Sequence, residues 1–99
     1  MPKIEEEMET SLRVEEPRMF KVLLHNDDYT SMDFVVDVLM NIFHKNAAEA
    51  EKIMIQIHEK GIGVCGVYSY EIAQTKAEQV RQKAKQSEFP LLATIEEDQ

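Results

Sequence analysis

Three short segments of the chain carry the apolar pattern of β-strands. In residues 19–25 (MFKVLLH), alternate apolar side chains share one face, which predicts a strand. Residues 62–68 (IGVCGVY) predict a second strand, and their two glycines indicate a twist or a bulge. A third strand is predicted over residues 91–96, directly after Pro90.

Between the strands, apolar residues recur at the spacing of amphipathic helices. The first helix is predicted to start at Thr30, which forms a capping-box pattern with Asp33, and to end at the polar residues 44–46. The second helix is predicted over about residues 47–60, and Gly61 follows where a left-handed cap belongs. Both helices have an apolar stripe that must pack against another layer.

The third helix is predicted from its capping residue Ser69 to about Gln86, with small apolar residues on one face and lysine and glutamine on the other. The order of elements is therefore β-α-α-β-α-β. This order predicts an α+β fold in which three helices pack on one face of a small three-stranded antiparallel sheet.

Charge divides the 99 residues into a short tail and one domain. Residues 1–17 contain six glutamates against one lysine and one arginine, and are predicted to be a flexible acidic tail. Residues 18–99 hold the periodic segments and form the predicted domain. The net charge of the whole chain is −8. Binding to nucleic acid or to an anionic membrane surface is not expected, because both need a basic face.

No stretch of the chain approaches the roughly 20 apolar residues that span a bilayer, and none resembles a secretion signal. The single cysteine, Cys65, excludes an internal disulfide and a cysteine-based zinc cluster. These observations together lead us to expect a cytoplasmic protein.

The candidate chemistry lies where the first strand meets the first helix. Residues 26–30 (NDDYT) are the most polar stretch of the domain, although residues that end strands and cap helices commonly have this composition. A calcium loop is excluded, because its central glycine and closing glutamate are missing. His58 shares an otherwise apolar helix face with Met54, where a lone histidine is more often a partly buried packing residue. His25 and His44 are not separated from His58 by a spacing typical of metal ligands, so neither a metal nor a cofactor is expected.

Catalysis is not expected either. Asp27, Asp28 and His58 could form an acid–base pair, but no serine, threonine or cysteine has the sequence context of a nucleophile. The segment from Gly61 to Gly63 is typical of a helix end and not of a phosphate-binding loop. A small hydrolase that uses Asp28 and His58 therefore ranks below a binding protein.

Four blocks of the sequence, taken in order, resemble the ClpS adaptor family. They read LLHNDDYTSMDFVVDVL, MIQIH, GIGVCGVYSYEIAQTK and PLLATIE, and the resemblance covers about residues 18–96. It implies a non-enzymatic adaptor that delivers N-degron substrates to a Clp AAA+ unfoldase–protease. The implied partners are those substrate proteins and the N-terminal domain of the unfoldase. The adaptor itself is expected to be a monomer. The alternative is a structural interaction module similar to the C-terminal domain of the ribosomal stalk protein.

The resemblance also implies which residues bind the substrate. The free α-amino group of a protein that starts with Leu, Phe, Tyr or Trp would be held by four polar residues: Asn26, Asp27, Asp28 and His58. The first side chain would enter an apolar pocket walled by Thr30, Met32, Val35, Met54, Ile57 and Leu91. Met32 matches the family's gatekeeper against the β-branched residues Ile and Val. Ile57 departs from the frequent, smaller valine, so we expect less room for Trp.

A second implied surface faces the unfoldase. Glu71 and Lys76 on the predicted third helix match the family's docking positions, although a solvated helix face would also explain their charges. Residues 1–17 correspond to the family's N-terminal extension, which the unfoldase engages during hand-over. They match it only in their predicted flexibility and not in sequence. Ser31 stands where many members have proline, and this departure leaves the acceptor groups of the pocket unchanged.

Overall fold

The computed structural model describes residues 17–99, so the predicted tail lies outside the described residues except for Pro17. Six elements follow one another in the predicted β-α-α-β-α-β order. They are β1 (Met19–His25), α1 (Met32–Asn41), α2 (Ala47–Lys60), β2 (Ile62–Ser69), α3 (Tyr70–Gln86) and β3 (Leu92–Asp98). The predicted α+β fold class is confirmed.

The first strand lies in the middle of the sheet. The strand order is β2-β1-β3, and β1 is antiparallel to both neighbours. Its register with β3 is regular, whereas its register with β2 shifts by one residue between Val22 and Leu23. Cys65 is left without a partner there and is the extra residue of a β-bulge. The glycines of β2 had indicated such an irregularity, and it is confirmed.

The hydrophobic core lies between the helices and one face of the sheet. Val22 and Leu24 on β1 are fully buried and belong to the same core cluster as the helices. Helix α1 contributes Val38 and Leu39, also fully buried, and α3 contributes mainly alanines, which let this long helix approach the sheet closely. Removal of this apolar surface from water holds α1, α2 and the end of β1 together, and the candidate site lies where they meet.

The helix ends follow the sequence signals with two exceptions. Ser69 stands at the predicted N-cap position of α3, but its side chain makes no capping hydrogen bond. The residue that caps α1 is Ser31, whose Oγ accepts from the Phe34 backbone N–H at 3.1 Å, so the prediction of Thr30 is wrong. Thr30 does not cap the helix because its hydroxyl donates to Asp27. At the end of α2, Gly61 has a φ of 84°, and the predicted left-handed cap is confirmed.

Two element boundaries shift slightly from their predicted positions. Ile42 and Phe43, predicted within the first helix, follow its last residue but remain buried in the core. The last strand begins at Leu92, one residue later than predicted, because Leu91 precedes the paired residues. Among residues 17–99, we find no helix whose length and apolar character would let it cross a membrane.

Candidate functional site

A concave cavity of about 240 Å³ lies where the carboxyl end of β1 meets the start of α1 and the end of α2. Its polar lining comes from the residues that follow β1 and from a histidine on α2, and its apolar lining comes from α1 and α2. The lining residues are Asn26, Asp27, Asp28, Thr30, Met32, Val35, Met54, Ile57 and His58. Segments that are distant in the sequence therefore form one site.

A backbone hydrogen bond fixes the two halves of the cavity relative to each other. The Asn26 N–H donates to the Gly61 carbonyl at 2.9 Å, directly beyond the last pair of the β1–β2 ladder, His25 opposite Ile62. Gly61 ends α2 less than one turn after His58. The end of the strand is thus joined to the end of the helix, and Asn26 and His58 share one mouth.

Asp27 organises the turn between β1 and α1. One of its carboxylate oxygens accepts the backbone N–H groups of Tyr29 and Thr30 at 2.8 and 2.6 Å, and the other accepts the Thr30 hydroxyl at 2.7 Å. Burial acts to raise the pKa of this carboxyl, but the hydrogen bonds from Thr30 and Tyr29 outweigh it and hold the pKa below its usual value. Asp27 is therefore ionised at neutral pH, and the turn itself occupies its oxygens.

Three other polar side chains at the mouth keep their hydrogen-bonding capacity. Asn26, Asp28 and His58 are exposed, and within residues 17–99 no group hydrogen-bonds to their side chains. An amide oxygen, a carboxylate and a neutral ring nitrogen are all acceptors. Because all three line one cavity, they can converge on a single donor group. The exposure of His58 also contradicts the alternative of a partly buried packing residue.

The apolar part of the cavity is deeper. Ile57 and Val35 are only 2% and 7% exposed, Met54 is half-buried, and Met32 is 49% exposed at the rim. Behind Ile57 lies Gly63 of β2, where a Cβ atom would come within 2.6 Å of the Ile57 Cγ1. Gly63 therefore sets how far Ile57 recedes from the cavity. This role was not predicted, and a glycine within an apolar strand is the one sequence signal for it.

The structure brings together every residue predicted for the amino-group mouth and all but one predicted for the pocket. The exception is Leu91, which is not among the residues that line this cavity. It lies just before β3 with 5% of its surface exposed, and its place in the pocket wall stays a prediction. The functional roles of the other residues stay predictions.

The charges at the mouth favour a cation. Asp27 and Asp28 are the charged lining residues, and neither lysine nor arginine is among them. Two carboxylates beside an apolar wall attract a positively charged group more strongly than they would in open water. In the part of the chain that the structure describes, no group of three His, Cys, Asp or Glu side chains is placed to hold a metal ion. The two carboxylates and the apolar wall give the cavity a negative mouth beside an apolar surface.

The residues predicted to dock on the unfoldase lie on α3 and outside the cavity. Glu71 is exposed in the first turn of the helix. Lys76 is half-buried: its Nζ donates to the Ile42 carbonyl at 2.6 Å and lies 5.9 Å from the centre of the Tyr68 ring. Lys76 therefore has an intramolecular role already, and the docking role of both residues stays a prediction.

Comparison with known families gives a match over most of the chain. Residues 15–94 match the family described as ATP-dependent Clp protease adaptor protein ClpS. The ATP-dependent Clp protease adapter protein ClpS of Syntrophus aciditrophicus is 59% identical over 85 residues, which cover 86% of this chain and 79% of that one. The ClpS of Campylobacter jejuni is 49% identical over 98 residues, which cover 99% and 100% of the two chains.

A solved structure shares the fold. Agrobacterium tumefaciens ClpS2 bound to L-phenylalaninamide matches with a TM-score of 0.81 and 36% sequence identity, over 84% of this chain and 100% of that one. The matches extend across all six elements and both parts of the cavity lining. The resemblance found in the sequence is thus confirmed, and the chain belongs to the ClpS family.

Proposed function

We propose that this protein binds the free α-amino group and the bulky hydrophobic first side chain of N-degron substrates, and delivers them to a Clp AAA+ unfoldase–protease. The observation that carries the proposal is the composition of one cavity, in which a negatively charged mouth with unused acceptors opens onto an apolar pocket. An ammonium group on a carbon that bears an apolar side chain complements both parts. A structural module similar to the stalk-protein domain would have no use for such a mouth.

The mouth suits a protonated α-amino group. Such a group has a pKa of about 7.7 to 8.0, so at neutral pH it is mostly cationic and carries three donors. The amide oxygen of Asn26, the carboxylate of Asp28 and a neutral ring nitrogen of His58 supply three acceptors. Asp27 adds negative charge while its own oxygens keep the turn in place. An internal residue has no ammonium on its Cα, and the ammonium of an internal lysine lies at the end of its side chain with no apolar group beyond it to fill the pocket, so the site selects chain termini.

The pocket has the size for one side chain. Its volume of about 240 Å³ lies below the roughly 300 to 1,000 Å³ typical of sites for drug-sized ligands. Val35, Met54 and Ile57 offer apolar surface to Leu or to an aromatic ring, and burying such a side chain contributes about 1.5 to 3 kcal/mol. The related ClpS2 is bound to L-phenylalaninamide, which has both an α-amine and a phenyl ring, and this supports the proposal.

Met32 is placed to select against β-branched first residues. It is the first residue of α1 and stands half-exposed on the rim of the cavity. With the amino group fixed at the mouth, the second substituent on the Cβ of Ile or Val would meet this side chain. In Met32→Ala the obstacle is removed, so peptides that begin with Ile or Val should approach the affinity of those that begin with Leu. Unchanged selectivity in a peptide titration would contradict the gatekeeper assignment.

Fluorescence anisotropy with labelled peptides that differ only in their first residue tests the binding proposal. Peptides that begin with Phe or Leu should bind, and those that begin with Ile, Val or Ala should bind poorly. Acetylation of the α-amino group of the Phe peptide removes the charge and should abolish binding, because the mouth then has no cation to accept. Equal affinity for the free and the acetylated peptide would overturn the amino-group site.

We infer that the protein itself catalyses no reaction. Thr30 carries the one hydroxyl among the lining residues that the structure describes, and it donates to Asp27 at 2.7 Å. The thiol of Cys65 is buried in the core, outside the cavity. Mass spectrometry of peptides incubated with the protein should therefore show no cleavage. Cleavage that disappears in His58→Ala would instead establish a hydrolase built on Asp28 and His58.

Delivery needs contact with the N-terminal domain of a Clp unfoldase. We propose that Glu71 and Lys76 on α3 make this contact. We also propose that the protein is a monomer and acts in the cytoplasm.

We assign the hand-over of the substrate to the unfoldase to residues 1–17. Deleting residues 1–17 should leave peptide affinity intact, since the lining residues that the structure describes lie between Asn26 and His58. It should nevertheless impair degradation of a bound substrate by the matching protease. Undiminished degradation by the truncated protein would reduce the segment to a solubilising appendage.

A further inference from the structure

The cavity wall contains two thioethers, and one of them is open to solvent. Met32 at the start of α1 is 49% exposed on the rim, and Met54 on α2 is half-buried in the wall. We propose that Met32 is a redox-sensitive modification site, at which oxidation to the sulfoxide by a hydroperoxide reversibly weakens binding of a hydrophobic first side chain. This inference rests on the proposed function of the cavity.

The reaction needs a hydroperoxide alone. The sulfur lone pair of Met32 attacks the distal peroxide oxygen, an S–O bond forms and the O–O bond breaks. The sulfur is oxidised by two electrons and the peroxide is reduced by two. With hydrogen peroxide, the departing hydroxide takes up the proton of the transferred oxygen and leaves as water. The product is methionine sulfoxide, a polar and chiral group that methionine sulfoxide reductases convert back to the thioether. The modification is therefore reversible.

The surroundings direct oxidation to the methionines. Cys65 is fully buried, and this burial raises the pKa of its thiol to about 12, so the reactive thiolate is not formed at neutral pH. Among the methionines of the described residues, Met32 is the most exposed, and Met19 and Met40 follow at 39% each. Met19 and Met40 lie outside the cavity lining, so their oxidation should leave binding unaffected.

The sulfoxide at Met32 acts on the complex more than on the free protein. In the free protein, a half-exposed side chain can turn its S–O dipole towards water, and the core, to which Met32 does not belong, remains intact. When a first side chain enters the pocket, the rim loses that water, and a polar group without a partner is costly to bury. We expect the affinity for a peptide that begins with Phe to fall about tenfold or more.

The test uses the full chain treated with hydrogen peroxide, with sulfoxide at each methionine measured by mass spectrometry. Anisotropy with the Phe peptide is measured before treatment, after treatment and after incubation with methionine sulfoxide reductases. The affinity should fall and then recover. Met32→Leu, which keeps an apolar side chain of similar volume, should lose the response to peroxide relative to its own untreated value. Met40→Leu is the matched control on the same helix and should respond like the wild type.

The outcomes separate this inference from the function on which it rests. Failure of the untreated wild type to bind the Phe peptide would overturn the proposed function itself. Normal binding before treatment and an equal affinity after full oxidation of Met32 would overturn the redox inference alone. A peroxide response that persists in Met32→Leu and disappears in Met54→Leu would overturn the assignment to Met32. A thermal unfolding midpoint that is unchanged by treatment should accompany the loss of affinity, and a collapse of the midpoint would contradict a local effect.

Discussion

The cavity and the α3 face use their polar residues in opposite ways. At the cavity, Asn26, Asp28 and His58 expose acceptors that no group within residues 17–99 occupies. On α3, the ammonium of Lys76 is bonded to the Ile42 carbonyl and lies close to an aromatic ring. A polar group that is hydrogen-bonded within the protein contributes to the stability of the fold. A polar group that lines a cavity without such a partner can instead stabilise the complex with a bound ligand.

The same contrast appears between two neighbouring residues of the turn. Asp27 accepts three hydrogen bonds from Tyr29 and Thr30, while Asp28 faces the cavity with its oxygens free within the described chain. Sequence alone presents these residues as an equivalent pair of carboxylates. Their hydrogen-bond partners separate a structural aspartate from a binding aspartate, and the difference should be measurable.

The largest effect is expected for Asp28→Asn. The substrate ammonium loses its charged acceptor, so the affinity for a Phe-initiated peptide should fall by about 1.5 to 3 kcal/mol without a change in Tm. Asp27→Asn is the matched control, because it removes the same charge one residue earlier. It should lower Tm, since the amide retains only one acceptor oxygen for the turn. Calorimetric titration and thermal unfolding measure both, and identical profiles for the two variants would break the distinction.

Gly63→Ala should narrow the pocket by displacing Ile57. The new Cβ would meet Ile57 at 2.6 Å, so the isoleucine must move towards the cavity, at a cost of about 1 to 3 kcal/mol in stability. Binding of Trp- and Phe-initiated peptides should suffer more than that of Leu-initiated ones. Gly66→Ala is the control, because its Cβ would collide with Tyr68, outside the cavity. A change of peptide preference in Gly66→Ala as well would show that overpacking acts generally and not through Ile57.

Removal of the His58 ring should weaken binding. In His58→Ala the substrate ammonium loses one acceptor at the mouth, so the affinity for a Phe-initiated peptide should fall by about 1 to 3 kcal/mol. His44→Asn, outside the cavity, is the matched control and should bind like the wild type. Calorimetric titration measures both, and an unchanged affinity in His58→Ala would remove His58 from the acceptors.

The smallest effect is expected on the α3 face. Lys76→Met removes the bond to the Ile42 carbonyl and should lower the free energy of unfolding by about 1 kcal/mol, or Tm by about 4 to 8 °C, with peptide affinity unchanged. Lys52→Met, at an exposed position on α2, is the control for the lost charge. Glu71→Gln should leave Tm and peptide affinity unchanged and weaken binding to the unfoldase N-terminal domain. An unchanged Tm in Lys76→Met would show that the bond to the Ile42 carbonyl does not stabilise the fold.

The order of elements was predictable because each has its own periodicity, but contacts between elements were not. Thr30 and Ser31 are equally good caps by composition, and the choice between them is made by Asp27, which takes the Thr30 hydroxyl. Leu91 was assigned to the pocket by resemblance, and the structure places it in the core, outside the residues that line the cavity. The role of Gly63 depends on a side chain from another element, which no local pattern reveals. Of the four residues of the mouth, three stand side by side in the most polar stretch of the domain, and the resemblance added His58.

The β-bulge in β2 decides which residue of this strand lies behind Ile57. If Cys65 paired with Leu23 in a regular ladder, Val64 would lie opposite Leu24, where Gly63 now stands. A valine at that place would bring its side chain against Ile57 and push the isoleucine into the cavity. The protein would then occupy the pocket with its own side chain. An irregularity in an edge strand thus keeps open a space that a side chain of another protein can enter.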